Sequence, residues 1–309
     1  MKKTLKIFGI TLIVIIILAG LAVASLFVFE KDIKNAAVNQ LNSYLNEGVE
    51  IKVRDIKLSF FEDFPRISMS FSDLRIPESK KINNKDLLKA GTVFCSFNIW
   101  DIISGEYKII ALGADNIEVY PSIDNRGNDN FSGIFKSDNK NEDTSSTRVD
   151  LKEIIIKKLK LVYTDKSNKF LGSIQSEKII ASAIYSDKGT QLKMNGDLFF
   201  DSLIIKSGVY LRSRPILFDI SAARDNEKKI ISLNESSLSF SELNFKLGGS
   251  YSESGEYDLD LKGNEIKITE LLQLIPPQFL TEIENLESEG NLDLHAHISG
   301  DEKELNRLD

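Results

Sequence analysis

The chain contains two histidines, and both sit close together near its end. His295 and His297 are two residues apart, so on a strand they project from the same face, and Asp293 extends that face to three groups able to ligate a metal. The alternative is three polar side chains on a wet face, opposite Leu292, Leu294, Ala296 and Ile298. With no other His and a single Cys in the chain, the wet-face reading is preferred and no metal is expected. Cys95 is in phase with Val93 and Phe97 on an apolar strand face and reads as a small buried hydrophobe, not a nucleophile. The acidic segment Asp124–Asn130 lacks the alternating ligand spacing and closing Glu of a calcium loop, so it reads as a plain turn. The sequence carries no P-loop, no nucleophile elbow and no dinucleotide fingerprint. No catalytic residue and no cofactor is expected.

The aromatics Phe60, Phe61 and Phe64, around Pro65, have two readings. They touch lipid from a hairpin tip close to a membrane, or they plug the end of a sheet. Bulk charge narrows the partners. Lys+Arg 39 against Asp+Glu 46 gives a net charge of −7, and nucleic-acid binders need a basic field instead.

The elements that position these residues begin with an apolar run. Ile7–Phe29 carries no charge and as a helix would be roughly 34 Å long, enough to cross a hydrocarbon core of about 30 Å. Lys2, Lys3 and Lys6 precede it, while Glu30, Lys31 and Asp32 follow. The positive-inside bias therefore keeps residues 1–6 in the cytoplasm and exports the remainder. Ala22-Val23-Ala24 resembles a cleavage site, but the run continues to Phe29 and is long for a signal peptide, so an uncleaved single-pass anchor over 7–29 is expected. Residues 30–47 follow as an amphipathic helix with Ile33, Ala37, Leu41 and Leu45 on one side. It covers the end of the following sheet or lies against the membrane, and the cover is favoured.

From Val49 onward the apolar period becomes 2. Val49, Ile51, Val53 shift phase to Ile56, Leu58, Phe60. The shift recurs between Phe71 and Leu74 and between Ile156 and Leu159, each time across two polar residues, as a bulge or bend would require. Strands are expected at Val93–Ile99, Tyr107–Leu112, Ile117–Ser122, Gln191–Phe200, Ile204–Leu211, Ile216–Ala222, Ser236–Phe240, Leu243–Tyr251, Tyr257–Leu261 and Leu292–Ile298. Helical turns are expected at Lys85–Ala90, Trp100–Gly105 and Thr269–Ile275, with a flexible loop over 137–147. The fold class is mainly β, with one apolar and one wet sheet face. Periodicity does not separate a β-sandwich from a long, curved, unclosed antiparallel sheet, since both demand this pattern, and without a family resemblance the sandwich is favoured.

The ordered segments Leu58–Ser68, Phe71-Ser72-Asp73-Leu74, Trp100–Glu106, Asp115–Tyr120, Asp124–Phe131, Leu271–Pro276 and Glu289–Leu292 resemble the AsmA family of bacterial envelope proteins. The resemblance implies a taco-like repeating β-groove over 48–309, and longer relatives imply that this region is C-terminally incomplete. It implies an inner-membrane-anchored, mostly periplasmic protein of outer-membrane biogenesis that carries phospholipid acyl chains between membranes. The rival is a non-enzymatic scaffold or regulator of outer-membrane protein assembly and protein targeting to the membrane. The expected partners are phospholipid, the inner membrane and envelope assembly proteins. Phase nominates Ile51, Val53, Ile67, Met69, Phe71, Ile154, Ile156, Leu192, Met194, Leu198, Leu259 and Leu261 as groove-lining residues, without deciding which face points inward.

Overall fold

The computed structural model describes residues 39, 42, 45–46, 49–59, 65–104, 108–134, 149–206, 208–211, 214–272, 275 and 289–301. The expected anchor at 7–29, the aromatics Phe60, Phe61 and Phe64, and the loop 137–147 lie outside these residues, as does most of the helix expected over 30–47. Asn39 and Asn42 of that segment are helical. Among the described residues no helix is long and apolar enough to cross a membrane.

Alternating side chains and hairpin turns build fourteen strands: β1 (Asp55–Ser59), β2 (Arg66–Ile76), β3 (Leu88–Asn98), β4 (Ile109–Val119), β5 (Ser122–Ile123), β6 (Val149–Asp165), β7 (Phe170–Ser186), β8 (Gly189–Ile205), β9 (Gly208–Leu211), β10 (Arg214–Asp225), β11 (Ile230–Phe240), β12 (Leu243–Ser252), β13 (Glu256–Lys267) and β14 (Asn291–Asp301). Two single-turn helices, α1 (Ile99–Ile103) and α2 (Ile268–Leu272), follow β3 and β13. Among the described residues all fourteen strands belong to one open sheet in nearly sequential order. β5 extends the lane of β4 beside β6, and β9 extends that of β10 beside β8. The two-sheet sandwich is thereby corrected.

The antiparallel expectation needs a correction too. β4 and β6 run parallel, Leu112 beside Ile154 and Ile117 beside Leu159. A parallel return needs a long connection, and residues 120–148 supply it. A second correction concerns 85–90, expected to be helical. Leu87 O already accepts from Tyr120 N at 2.8 Å, and from Leu88 the chain pairs with both β2 and β4. Pairing on both sides overrides the helical preference of Leu, Lys and Ala. The long strand β7 was not expected, and the strands expected at 107–112 and 117–122 are largely a single one, β4.

They merge because the change of phase inside β4 occurs without breaking the ladder. Asn116 takes a left-handed backbone (φ 56°), as do Asp73 in β2 (φ 53°) and Lys158 in β6 (φ 49°). Each one flips the side-chain alternation, as the shifts after Phe71 and Ile156 required. By register Asp73 faces Gly91, Asn116 stands beside Lys158, and Lys158 faces Glu177. A crease thus crosses β2, β3, β4, β6 and β7 at one level. Glu235 (φ 42°) and Glu265 (φ 52°) repeat the device in β11 and β13.

A crease frees backbone N–H groups, which need acceptors. The Asp197 carboxylate accepts from Glu177 N and Lys178 N, each at 2.9 Å. Asp293 Oδ1 accepts from Glu265 N at 2.9 Å, and Ser236 Oγ from Ser221 N at 3.0 Å. Replacing Asp197 in β8 with Ala removes the acceptors of both β7 N–H groups together. The expected loss is about 2 kcal/mol by denaturant unfolding, since bonds to charged groups contribute about 1.5–3 kcal/mol and these are partly exposed. Asn, with one accepting oxygen, should recover about half.

Candidate functional site: one apolar sheet face

Residues directly opposed across a ladder share a face, so register alone traces what each face carries. Ile56 of β1 opposes Phe71, which opposes Val93, and the row continues through Ala114, Ile156 and Ile179. It goes on through Gly196, Phe218, Leu238 and Phe245 of β12. A neighbouring row runs Leu58, Met69, Cys95, Leu112, Ile154, Ala181, Met194, Ile220. From β7 a third row follows: Ala183, Leu192, Ala222, Leu233, Gly249, Leu259, Ile298. With strands about 4.8 Å apart, the first row is roughly 43 Å of unbroken apolar surface.

The opposite face is different. Its matching row reads Lys57, Ser70, Phe94, Gly113, Ile155, Ile180, Asn195, Asp219, Ser237, Lys246, Lys262 and His295. It is polar toward both sheet edges, and its apolar middle is partly filled by Phe94, whose ring occupies the space a side chain at Gly113 would need.

Among the described residues the apolar face is closed only near its ends. Leu45, Ile51 and Ile134 pack with Ile56, Phe71 and Leu74 in one cluster, against which Val49, Val53 and Met69 rest. Leu243, Phe245 and Ile266 form a second, joined by Leu271 of α2 and by Leu292 and Leu294. No residue of β6–β10 belongs to either. There Ile179 lies close over Gly196, where a Cβ would strike the Lys178 carbonyl, and Ile179 and Phe218 are buried. Ile154, Ile156, Leu192, Met194 and Leu198 are half-buried, while Leu259 and Ile298 are 40% and 59% exposed.

Of the nominated residues, Ile67, Met69, Phe71, Ile154, Ile156, Leu192, Met194, Leu198, Leu259 and Leu261 lie on this face, Ile67 opposite Phe97, Leu198 opposite Ile216 and Leu261 opposite Leu247. Ile51 and Val53 precede β1 and flank Lys52, which pairs with Arg75 and so continues the β1 lane beside β2, and both pack in the end cluster with Phe71 and Leu74. Missed were the residues of β7, although Ile179, Ala181 and Ala183 alternate as plainly as any others, and the small residues Ala222 and Gly249.

The groups able to do chemistry are on the opposite face or engaged in structure. His295 Nε2 lies 2.7 Å from Asp260 Oδ1, and this hydrogen bond holds the Asp260 carboxyl below the usual carboxylate range. His297 lies 3.5 Å from Asp260 and 3.9 Å from Asp258. Asp258, Asp260 and His297 place one potential ligand atom each within 4.8 Å of one another. Asp293, the third polar group on the histidine face, accepts at the β13 crease. Cys95 opposes Met69 and Leu112 on the apolar face, and burial pushes its thiol up to about 11, where almost no thiolate forms at neutral pH. Asp124 Oδ1 accepts from Arg126 N at 2.8 Å and Asn128 N at 2.9 Å, so its carboxylate organises a turn.

The family model described as AsmA family matches residues 1–208, more than half of the chain. No curated protein and no solved structure matches.

Proposed function

Since this chain belongs to the AsmA family, whose membership implies an envelope protein involved in outer-membrane biogenesis, we propose that it carries phospholipid acyl chains on the apolar face of its sheet. The observation that carries the reading is the row from Ile56 to Phe245, apolar in every lane it crosses. Between the two end clusters nothing among the described residues forms a second sheet over it. Such a surface is costly in water, at about 25 cal/mol per Å². A hydrocarbon chain lying along it gains about 0.8 kcal/mol per buried methylene. A half-buried face suits a guest that slides, because no single site holds it rigidly.

In this reading residues 7–29 anchor the chain in the inner membrane with residues 1–6 in the cytoplasm. The sheet, from residue 48 onward, stands in the periplasm, and Phe60, Phe61 and Phe64 sit where lipid enters. The protein moves a molecule and changes no bond, in keeping with a family of generally non-enzymatic envelope proteins. The test is mass spectrometry of lipid extracted from the full chain purified in detergent at several loadings. Phospholipid in constant proportion to protein is expected. Its absence at every loading removes the carrier reading and leaves an anchored scaffold for envelope assembly proteins.

A further inference from the structure

The apolar face has two unlike borders along the strand direction. Toward the crease and beyond it the rows stay apolar: Leu88, Val119, Leu161 and Ile174 stand in one line. In the other direction, toward the turns after β7, β10 and β12, the outermost row is amphipathic. Tyr185 opposes Thr190, Thr190 opposes Arg224, and Arg224 opposes Ile231. Ile231 opposes Tyr251, and Tyr251 opposes Tyr257. Each is in phase with the apolar row next to it, so the phenol rings and the guanidinium stand on the apolar face at its edge. Tyr185, Ile231 and Tyr251 are 45%, 41% and 39% exposed.

Tyrosine has an apolar body and a polar tip, which suits the boundary between hydrocarbon and water. Arg224 pairs with Glu253, and Lys229 reaches the same carboxylate at 3.8 Å, so two cations share one anion. The dimensions match as well. From Tyr185 to Ile179, beside the crease, is six residues, or roughly 20 Å of strand. One acyl chain occupies about half of a 30 Å bilayer core, about 15 Å.

From these observations we infer that the row Tyr185–Arg224–Tyr251–Tyr257 is a headgroup rail: it receives the phosphate ester of a glycerophospholipid whose acyl chains lie along the strands toward the crease. The inference rests on the lipid-carrying reading and adds to it a direction for the guest and a discrimination between heads. Arg224 supplies a forked donor set that fits phosphate oxygens, with Lys229 beside it. The tyrosine rings bracket the glycerol level, and the apolar rows inward accept only the tails.

The test offers the full chain in detergent two radiolabelled probes with identical acyl chains, a phosphatidylglycerol and a diacylglycerol, and measures how much of each is retained. Wild type is expected to prefer the phospholipid by about tenfold, the effect of one charge-assisted contact. Arg224→Gln should bring the two probes close to parity by lowering phospholipid retention alone, and Arg224→Lys should keep part of the preference. Lys160→Gln, on the opposite face, should change neither. Equal retention of both probes by wild type overturns the rail and leaves the apolar face as the carrier, as does a preference that survives Arg224→Gln. Retention of neither probe overturns the carrier reading and the rail with it.

Discussion

Replacing Gly249 with valine is expected to cost about 4 kcal/mol, enough to leave much of the chain unfolded at growth temperature. Gly249 has φ 133°, a conformation essentially closed to residues with a Cβ. That strain alone contributes about 1–3 kcal/mol. A side chain there would also drive into the Asp258 carbonyl oxygen and come within 2.8 Å of the Leu259 Cα, both backbone atoms that no rotamer change can move away. Overpacking of this kind adds about 1–3 kcal/mol. Gly248 provides the control: a Cβ there finds its nearest neighbour, the Leu233 carbonyl oxygen, at 4.0 Å, so Gly248→Ala should stay within about 1 kcal/mol of wild type. Denaturant midpoints of the two variants measured side by side decide the matter. Similar midpoints would mean that β12 relaxes around residue 249 in a way this packing forbids.

The second large effect separates the sealed end of the apolar face from its open middle. Phe71 is 6% exposed and packs in the end cluster with Leu45, Ile56 and Ile134. Truncation to Ala removes a buried ring and leaves a cavity, with an expected cost of about 3–4 kcal/mol. Met194 lies on the adjoining row, half-buried between Ala181 and Ile220. Met194→Asp places a carboxylate where water can still reach it, so the expected loss of stability is only about 1 kcal/mol. Its effect falls on the guest, because a charge in the row obstructs a passing hydrocarbon chain. Co-purified phospholipid should drop at least about tenfold while the denaturant midpoint barely moves. The reverse outcome, an unfolded Met194→Asp protein, would mean that the middle of the face is filled, as a scaffold with a closed core requires.

Both predictions draw on features that were unequally legible in the sequence. The apolar face was readable because a period of 2 survives whatever the neighbouring strands do. Ten of the twelve nominated residues share that face for this reason. The phase shifts at Phe71–Leu74 and Ile156–Leu159 were readable as bends, and Asp73 and Lys158 now explain them by left-handed backbone. The same shift at Ala114–Ile117 was read as a gap between two strands, since nothing in a single strand shows that Asn116 keeps its place in the ladder. The alternation of Ile51 and Val53 was readable too: they flank Lys52, whose pairing with Arg75 carries the first lane of the sheet back beyond β1. The parallel pairing of β4 and β6 had no local signal, being a property of where a long connection returns the chain. Nor did the tyrosine border: Tyr185, Tyr251 and Tyr257 lie far apart in the sequence and meet only through the register of intervening strands.

The β4–β6 junction also bears on how the sheet assembles. Most other adjacent pairs are joined by a shorter connection, residues 268–290 between β13 and β14 being the longest of these, and the tight hairpins can zip up locally soon after the chain is made. The junction instead requires residues 120–148 to close a loop before any of its bonds can form, an entropic toll paid ahead of the reward. Assembly therefore divides into two ribbons, β1–β4 and β6–β14, each nucleating by itself, with their docking as the slow, rate-setting event. Until that docking occurs, the inner borders of β4 and β6 present unsatisfied amides to any passing strand, and this seam is where misassembly begins.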